Sequence, residues 1–222
     1  MKLKERYFAP IEEVNNYVAS KARGKVLELG PGNKPFLKAT HFCGHSEEEK
    51  SCLENYLTCD FSSQFFPYKD KEFDFVYARH VVEDLYNPKH FLNECKRVSK
   101  AGYFETPSPL IETFKFIEGE KSNYKGYHHH FSFVWSRLKE IYILHKYPIS
   151  EYIEINLKNN EFLKDKFMWN NYFLWQDDFL ITHWEHEKNF NTIRDYPNLL
   201  VKAVNEGIYN SLRFKQEVLK NV

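Results

Sequence analysis

The chain has 222 residues, 42% of them apolar and 18% aromatic, which suits one full core or at most two small domains. Basic and acidic residues balance at 31 each, so the global basic footprint of a nucleic-acid binder is absent. The opening MKLKERYFAP is charged, and no stretch approaches the ~20 apolar residues that span a bilayer; neither a signal peptide nor a membrane anchor is expected.

Residues 5–20 place Ile11, Val14 and Val18 at roughly helical spacing and predict a leading helix. KVLELG (25–30) is a short apolar run ending in glycine, which suits a buried parallel strand. KEFDFVYA (71–78) reads as a second such strand. NPKHFLNECKRVSK (87–100) opens on Asn-Pro and sets Phe91, Leu92, Cys95 and Val98 on one helical face. GYFETPSP (102–109) is a third strand, halted by prolines. Strand, helix and strand in this order predict an α/β fold with a parallel sheet under helices. After residue 130 the texture changes. EIYILHKYPI, EYIEINL and WNNYFLWQDDFLITHWEH are aromatic and partly alternating, as antiparallel strands or long loops would be. NLLVKAVNEGIYNSLRFKQEVLKN predicts a closing amphipathic helix.

VLELGPGN (26–33) is the sharpest motif. Gly30 and Gly32 let the backbone turn tightly and approach a ligand where a Cβ would clash. Glu28 lies at the carboxyl edge of its strand, where doubly wound sheets bind their ligands. Pro35 stands where a dinucleotide-binding turn has its third glycine, and no GK[ST] is present for a P-loop. An acid beside the turn suits a cationic, phosphate-free ligand. Taken alone, the motif is also compatible with an ordinary strand-to-helix turn.

Residues 25–32 together with FPYKDKEFDFVYARHVVEDLYNPKHFLNECKRVSKAGYFETPSP (66–109) resemble class I methyltransferases that use S-adenosylmethionine, closest to the branch labelled type 11. The resemblance covers about the first 110 residues. It implies a Rossmann-like fold, with a seven-stranded, mostly parallel sheet flanked by helices. The chain then reads as a single domain, 1–222, with a cofactor-binding half (1–110) and an aromatic-rich acceptor half (111–222). Carried over residue by residue, Glu28, Gly30, Pro31 and Gly32 would form the turn under the methionine part of S-adenosylmethionine. Lys34 departs from the family, which often has a glycine there. Asp60 would contact the cofactor in one of two registers. In the first it closes strand two and accepts the ribose hydroxyls. In the second, strand two is ATHFCGH (39–45), Asp60 closes strand three near the adenine, and only Glu47 to Glu49 stand near the usual place of the ribose acid. Phe61 could lie against the adenine or belong to the core. His80 would sit at the carboxyl edge facing the transferable methyl group, and Asp84 stands where relatives have a second histidine.

HFCGH (41–45) with Cys52 and Cys59 invites a zinc reading, but the spacing is poor and no C-x-x-C exists. Reduced, buried thiols in a cytoplasmic setting are expected instead. The run GYHHHF places His128, His129 and His130 after the third strand, on the side where the resemblance puts the acceptor pocket. Transfer to an alcohol needs a base, and a neutral imidazole can serve. Alternation would aim His128 and His130 one way and His129 the other. His128 and His129 are the favoured bases, and a metal ion would need a third ligand that the sequence does not identify. The expected function is O-methylation of a sugar, glycan or other small polar acceptor, leaving S-adenosylhomocysteine. The alternatives are a protein or RNA methyltransferase and a non-catalytic partner of the same fold.

Overall fold

The computed structural model describes residues 10–45, 53–115, 124–155, 160–184 and 191–221. The leading helix, α1, spans Glu12–Lys21, and the part of the expected helix before residue 10 lies outside the described residues. The main sheet takes its strands from β1 (Val26–Leu29), β2 (His41–Gly44), β3 (Tyr56–Thr58), β4 (Phe75–Arg79), β5 (Ala101–Pro107) and β8 (Asn170–Gln176). Its order is β3-β2-β1-β4-β5-β8. The first five are parallel, and β8 runs antiparallel along β5. Among the described residues the sheet therefore has six strands rather than seven. Because β1 lies between β2 and β4, the winding direction reverses there, and the carboxyl ends of β1 and β4 are where open α/β sheets bind their ligands.

A second sheet joins β6 (Ser132–Arg137), β7 (Glu140–His145) and β9 (Leu180–His183) in the order β6-β7-β9. It packs on one face of the main sheet beside α2 (Pro88–Val98), where Val134, Ile141 and Ile143 meet Phe91, Phe104, Phe173 and Trp175 in one core. The opposite face is covered by α1 and by the carboxyl half of α4 (Thr192–Leu219), through Val14, Val18, Val204, Phe214 and Val218. The amino half of α4 packs on the small sheet instead: Tyr196, Leu200 and Ala203 meet Phe133, Trp135 and Leu144. One helix of 28 residues thus spans both sheets. EYIEINL is not a strand: Pro148–Tyr152 form a 3-10 turn, and residues 156–159 lie outside the described residues. Cys43, Cys59 and Cys95 are free, buried thiols, and Cys52 is not among the described residues. Among the described residues no helix is long and apolar enough to cross a membrane.

The helix α2 is anchored to the loop before β4 by Glu94. Its Oε2 accepts from the Phe66 N–H at 2.8 Å, and Arg97 donates to both carboxylate oxygens at 2.9 and 2.6 Å. Burial pushes this carboxyl up, but the guanidinium and the Phe66 N–H hold it below its ordinary 4.5. A depressed carboxyl stabilises the fold above its unfolded value and loses that contribution as pH falls through its folded one. Wild type should therefore exceed Glu94→Gln in urea midpoint at pH 7, and the gap should close as pH falls below the ordinary carboxyl range and through the lowered folded value. A gap independent of pH would mean that the carboxylate charge does not matter.

Candidate active site

The five parallel strands bring their carboxyl ends to one edge, and the turn after β1 lies at its centre. Gly30 and Gly32 have φ of 68° and 55°, in the left-handed region that favours glycine. The Gly30 N–H donates to the Cys43 carbonyl at 2.8 Å, tying the turn to β2. A Cβ placed on Gly32 would meet nothing within 4 Å, so the turn faces open space. Pro31 beside it is buried. The connection from β1 to β2, residues 30–40, is made of turns without a helix. Glu28 helps to hold it: its buried Oε2 accepts the Phe36 N–H at 2.8 Å, and the Phe36 ring stacks on Tyr77 at 4.1 Å.

His41–Gly44 is strand two and Tyr56–Thr58 strand three, so the second register holds and Asp60 follows strand three. Asp60 is exposed. Its carboxylate accepts from the Ser62 N–H at 2.9 Å and from the Ser63 hydroxyl, bonds that hold the carboxyl below its ordinary value. Glu47 to Glu49 lie outside the described residues. Of the two readings left open for Phe61, its packing is that of the core: it is 5% exposed and lies edge-on against Phe66 and tilted against Phe91.

His80 follows β4 at that edge with φ 54°, and its N–H donates to the Glu105 carbonyl at 2.8 Å. Its side chain is turned inward. Nδ1 lies 3.2 Å from Glu83 Oε1, and burial with Arg79 nearby pushes the imidazole down to about 3. His80 is therefore a neutral, enclosed group that orders β4 against the turn Val82–Asp84. The same burial raises Glu83 to about 7 and, with Glu83 adjacent, raises Asp84 to about 6.

The histidine run does not alternate. The His130 N–H donates to the Tyr127 carbonyl at 3.3 Å, closing a turn that sends His129 and His130 to the same carboxylate. His129 Nε2 and His130 Nε2 lie 4.0 and 3.6 Å from Asp84 Oδ1. His129 is 50% exposed, His128 is also exposed, and His130 is enclosed, with Nδ1 at 2.9 Å from Glu112 Oε1. Burial works against the His130 cation, but Glu112 outweighs it and the imidazole is raised. Glu112 ends a short helix, α3 (Pro109–Glu112), started by Ser108, whose hydroxyl accepts from the Ile111 N–H at 3.3 Å. Lys146 Nζ reaches Glu112 at 3.1 Å. At Gly126 a Cβ would stand 2.3 Å from Glu112 Oε2, so only glycine lets the chain pass this close. Glu83, Glu112 and Lys146 are members of the site that the motifs did not point to; Ser-Pro before Leu-Ile-Glu was the local signal for α3.

Residues 32–104, from the glycine turn to β5, match the family described as "Methyltransferase domain". No curated protein matches the chain. Similar solved structures include a SAM-dependent methyltransferase from Thermotoga maritima, 22% identical over 52% of this chain and 56% of that one, with a TM-score of 0.38. Another, from Archaeoglobus fulgidus, is 22% identical over 48% and 57%, with a TM-score of 0.37. A third, from Mesorhizobium loti, is 15% identical over 44% and 54%, with a TM-score of 0.36. The chain spans about half the length of each of these structures. S-adenosylmethionine is the cofactor a methyltransferase domain uses, and the open space before Gly32 beside a buried acid fits its cationic methionine end.

Proposed function

We propose that the protein is an S-adenosylmethionine-dependent O-methyltransferase acting on a hydroxyl of a sugar, glycan or other small polar acceptor. The observation that carries this reading is a juxtaposition. The glycine turn and the accessible histidines belong to segments that meet the same carboxyl edge, the latter through Asp84 after β4 and Glu112 after β5. When bound, S-adenosylmethionine supplies an electrophilic methyl carbon on a sulfonium. Gly30, Pro31 and Gly32 cradle its methionine end, Glu28 supplies negative charge while bracing the turn, and Asp60 lies at the adenosine end. The accessible pair His128 and His129 supplies the base. His128 or His129 would take up the proton that the acceptor hydroxyl loses on methyl transfer, with S-adenosylhomocysteine as the other product. Exposed rings stand at this side: Tyr124 of the aromatic half next to His128, and Tyr86, between β4 and α2, tilted over Phe131 at 4.2 Å.

The test is transfer of a labelled methyl group to a panel of free sugars and glycans, after titration with S-adenosylhomocysteine has shown cofactor binding. His128→Ala should lower kcat by about 10²–10⁴-fold while leaving cofactor affinity unchanged. Label found only on protein or RNA would replace the acceptor class. An unchanged kcat in His128→Ala and His129→Ala would remove the histidine base.

A further inference from the structure

Asp84, His129 and His130 place three donor atoms within 4.8 Å of one another. The two imidazoles offer the same atom, Nε2, to one carboxylate oxygen at 3.6 and 4.0 Å. These separations are too long for hydrogen bonds. Asp84 Oδ1 is buried and has no hydrogen-bond partner. Three donors converging on a common point without bonding one another is the arrangement a cation would complete.

The backing supports this. A metal-bound imidazole usually gives its other ring nitrogen to a carboxylate, which fixes the tautomer and aims the ligating atom. His130 has that partner in Glu112, 2.9 Å from Nδ1, and Glu112 is itself held by Lys146 and by the Tyr127 N–H. The atom left to face Asp84 is Nε2. Ligands at ~2.0–2.2 Å from a tetrahedral ion stand about 3.4 Å apart, so the donors need to close by between about 0.2 and at most about 1.4 Å. The half-exposed His129 has room for that movement. Three acidic side chains, Glu83, Asp84 and Glu112, gather here, with Lys146 beside Glu112. Two imidazoles and one carboxylate suit a first-row transition ion better than magnesium or calcium, which prefer all-oxygen shells.

We propose that Asp84, His129 and His130 bind one divalent first-row transition-metal cation, with its remaining positions open to the acceptor. The proposal deepens the O-methyltransferase reading and, in its catalytic part, rests on it. The ion would hold the acceptor hydroxyl and lower its pKa, the work of a Lewis acid. His129 becomes a ligand, and the role of base passes to His128.

The untagged 222-residue chain, treated with chelator and dialysed, is titrated calorimetrically with Zn²⁺. Binding of Co²⁺ to a parallel sample is followed by visible absorption. One ion per chain is expected, with affinity at least ~100-fold lower in Asp84→Asn and in His129→Ala, since each removes a direct ligand. Both positions are partly exposed, and far-UV circular dichroism checks that the variants fold. No saturable binding, or equal binding in the two folded variants, overturns the site. The same preparations are titrated with S-adenosylhomocysteine. If that binds and Zn²⁺ does not, the metal site is wrong and the methyltransferase reading stands. If Zn²⁺ binds and S-adenosylhomocysteine does not, the reading of the chain as a transferase fails and the metal site survives.

Discussion

Gly32→Arg is expected to abolish measurable binding of S-adenosylhomocysteine, a loss of at least ~100-fold or about 2.7 kcal/mol, while leaving the protein folded. The two halves of that expectation have different origins. A side chain at Gly32 meets no protein atom within 4 Å of its Cβ, so the core is untouched and the new atoms occupy the space before the turn. The cost to the fold is the left-handed φ of 55°, about 1–2 kcal/mol, which lowers Tm by roughly 2–8 °C in a domain of this size. Gly30→Ala makes the contrast. Its Cβ would stand 2.7 Å from Val81 Cγ2, so it should lose more stability for a smaller side chain. Calorimetric titration with thermal melts on both variants checks this. Wild-type affinity in folded Gly32→Arg would move the cofactor away from the turn.

The second large effect lies two strands over. Glu105 in β5 is buried and satisfies three groups: Arg79 Nε at 2.9 Å, Asn170 Nδ2 at 3.0 Å and the Tyr103 hydroxyl at 2.7 Å. Glu105→Ala should cost about 3–5 kcal/mol, because it strips the carboxylate from a mostly buried guanidinium. Pairing the change with Arg79→Met removes the stranded charge and should recover part of the loss, although the Tyr103 and Asn170 donors still lack their acceptor. Urea unfolding of the two single variants and the double variant measures the coupling. A cost under about 1 kcal/mol for Glu105→Ala would mean that water reaches the pair and screens it.

The parts of the site visible in the sequence are those set by local chemistry. VLELGPGN is legible because a fully buried strand followed by left-handed residues needs an apolar run and then glycine. The start of α2 is legible because Asn87 can accept the His90 N–H and Pro88 fits the first turn, as it does at 3.2 Å. Strand two was ambiguous because HFCG is too short for its pattern to separate it from YLT. SFVWSR, which forms β6, shows no alternation because five consecutive residues are buried, some on the main core and some under α4. Phe61 stayed open between core and adenine because position beside an acid says nothing about which way a ring points. The histidines were misread for a related reason. Alternation assumes an extended chain, whereas the turn from Tyr127 to His130 depends on Gly126 passing Glu112, a contact between segments that no local pattern contains.

The helix α4 has a consequence for how the chain comes into being. Residues before 185 carry both sheets, yet each sheet keeps an apolar surface that α4 helps to cover: Phe133, Trp135 and Leu144 on the small sheet, Tyr103 and Tyr172 on the large one. A ribosome emitting the chain at about 5–20 residues per second exposes those surfaces for seconds before their cover is made. Neither sheet can then be completed early and stored. The nascent protein passes through a sticky stage whose length is set by translation rather than by folding, and its yield should follow the speed of translation and the supply of chaperones.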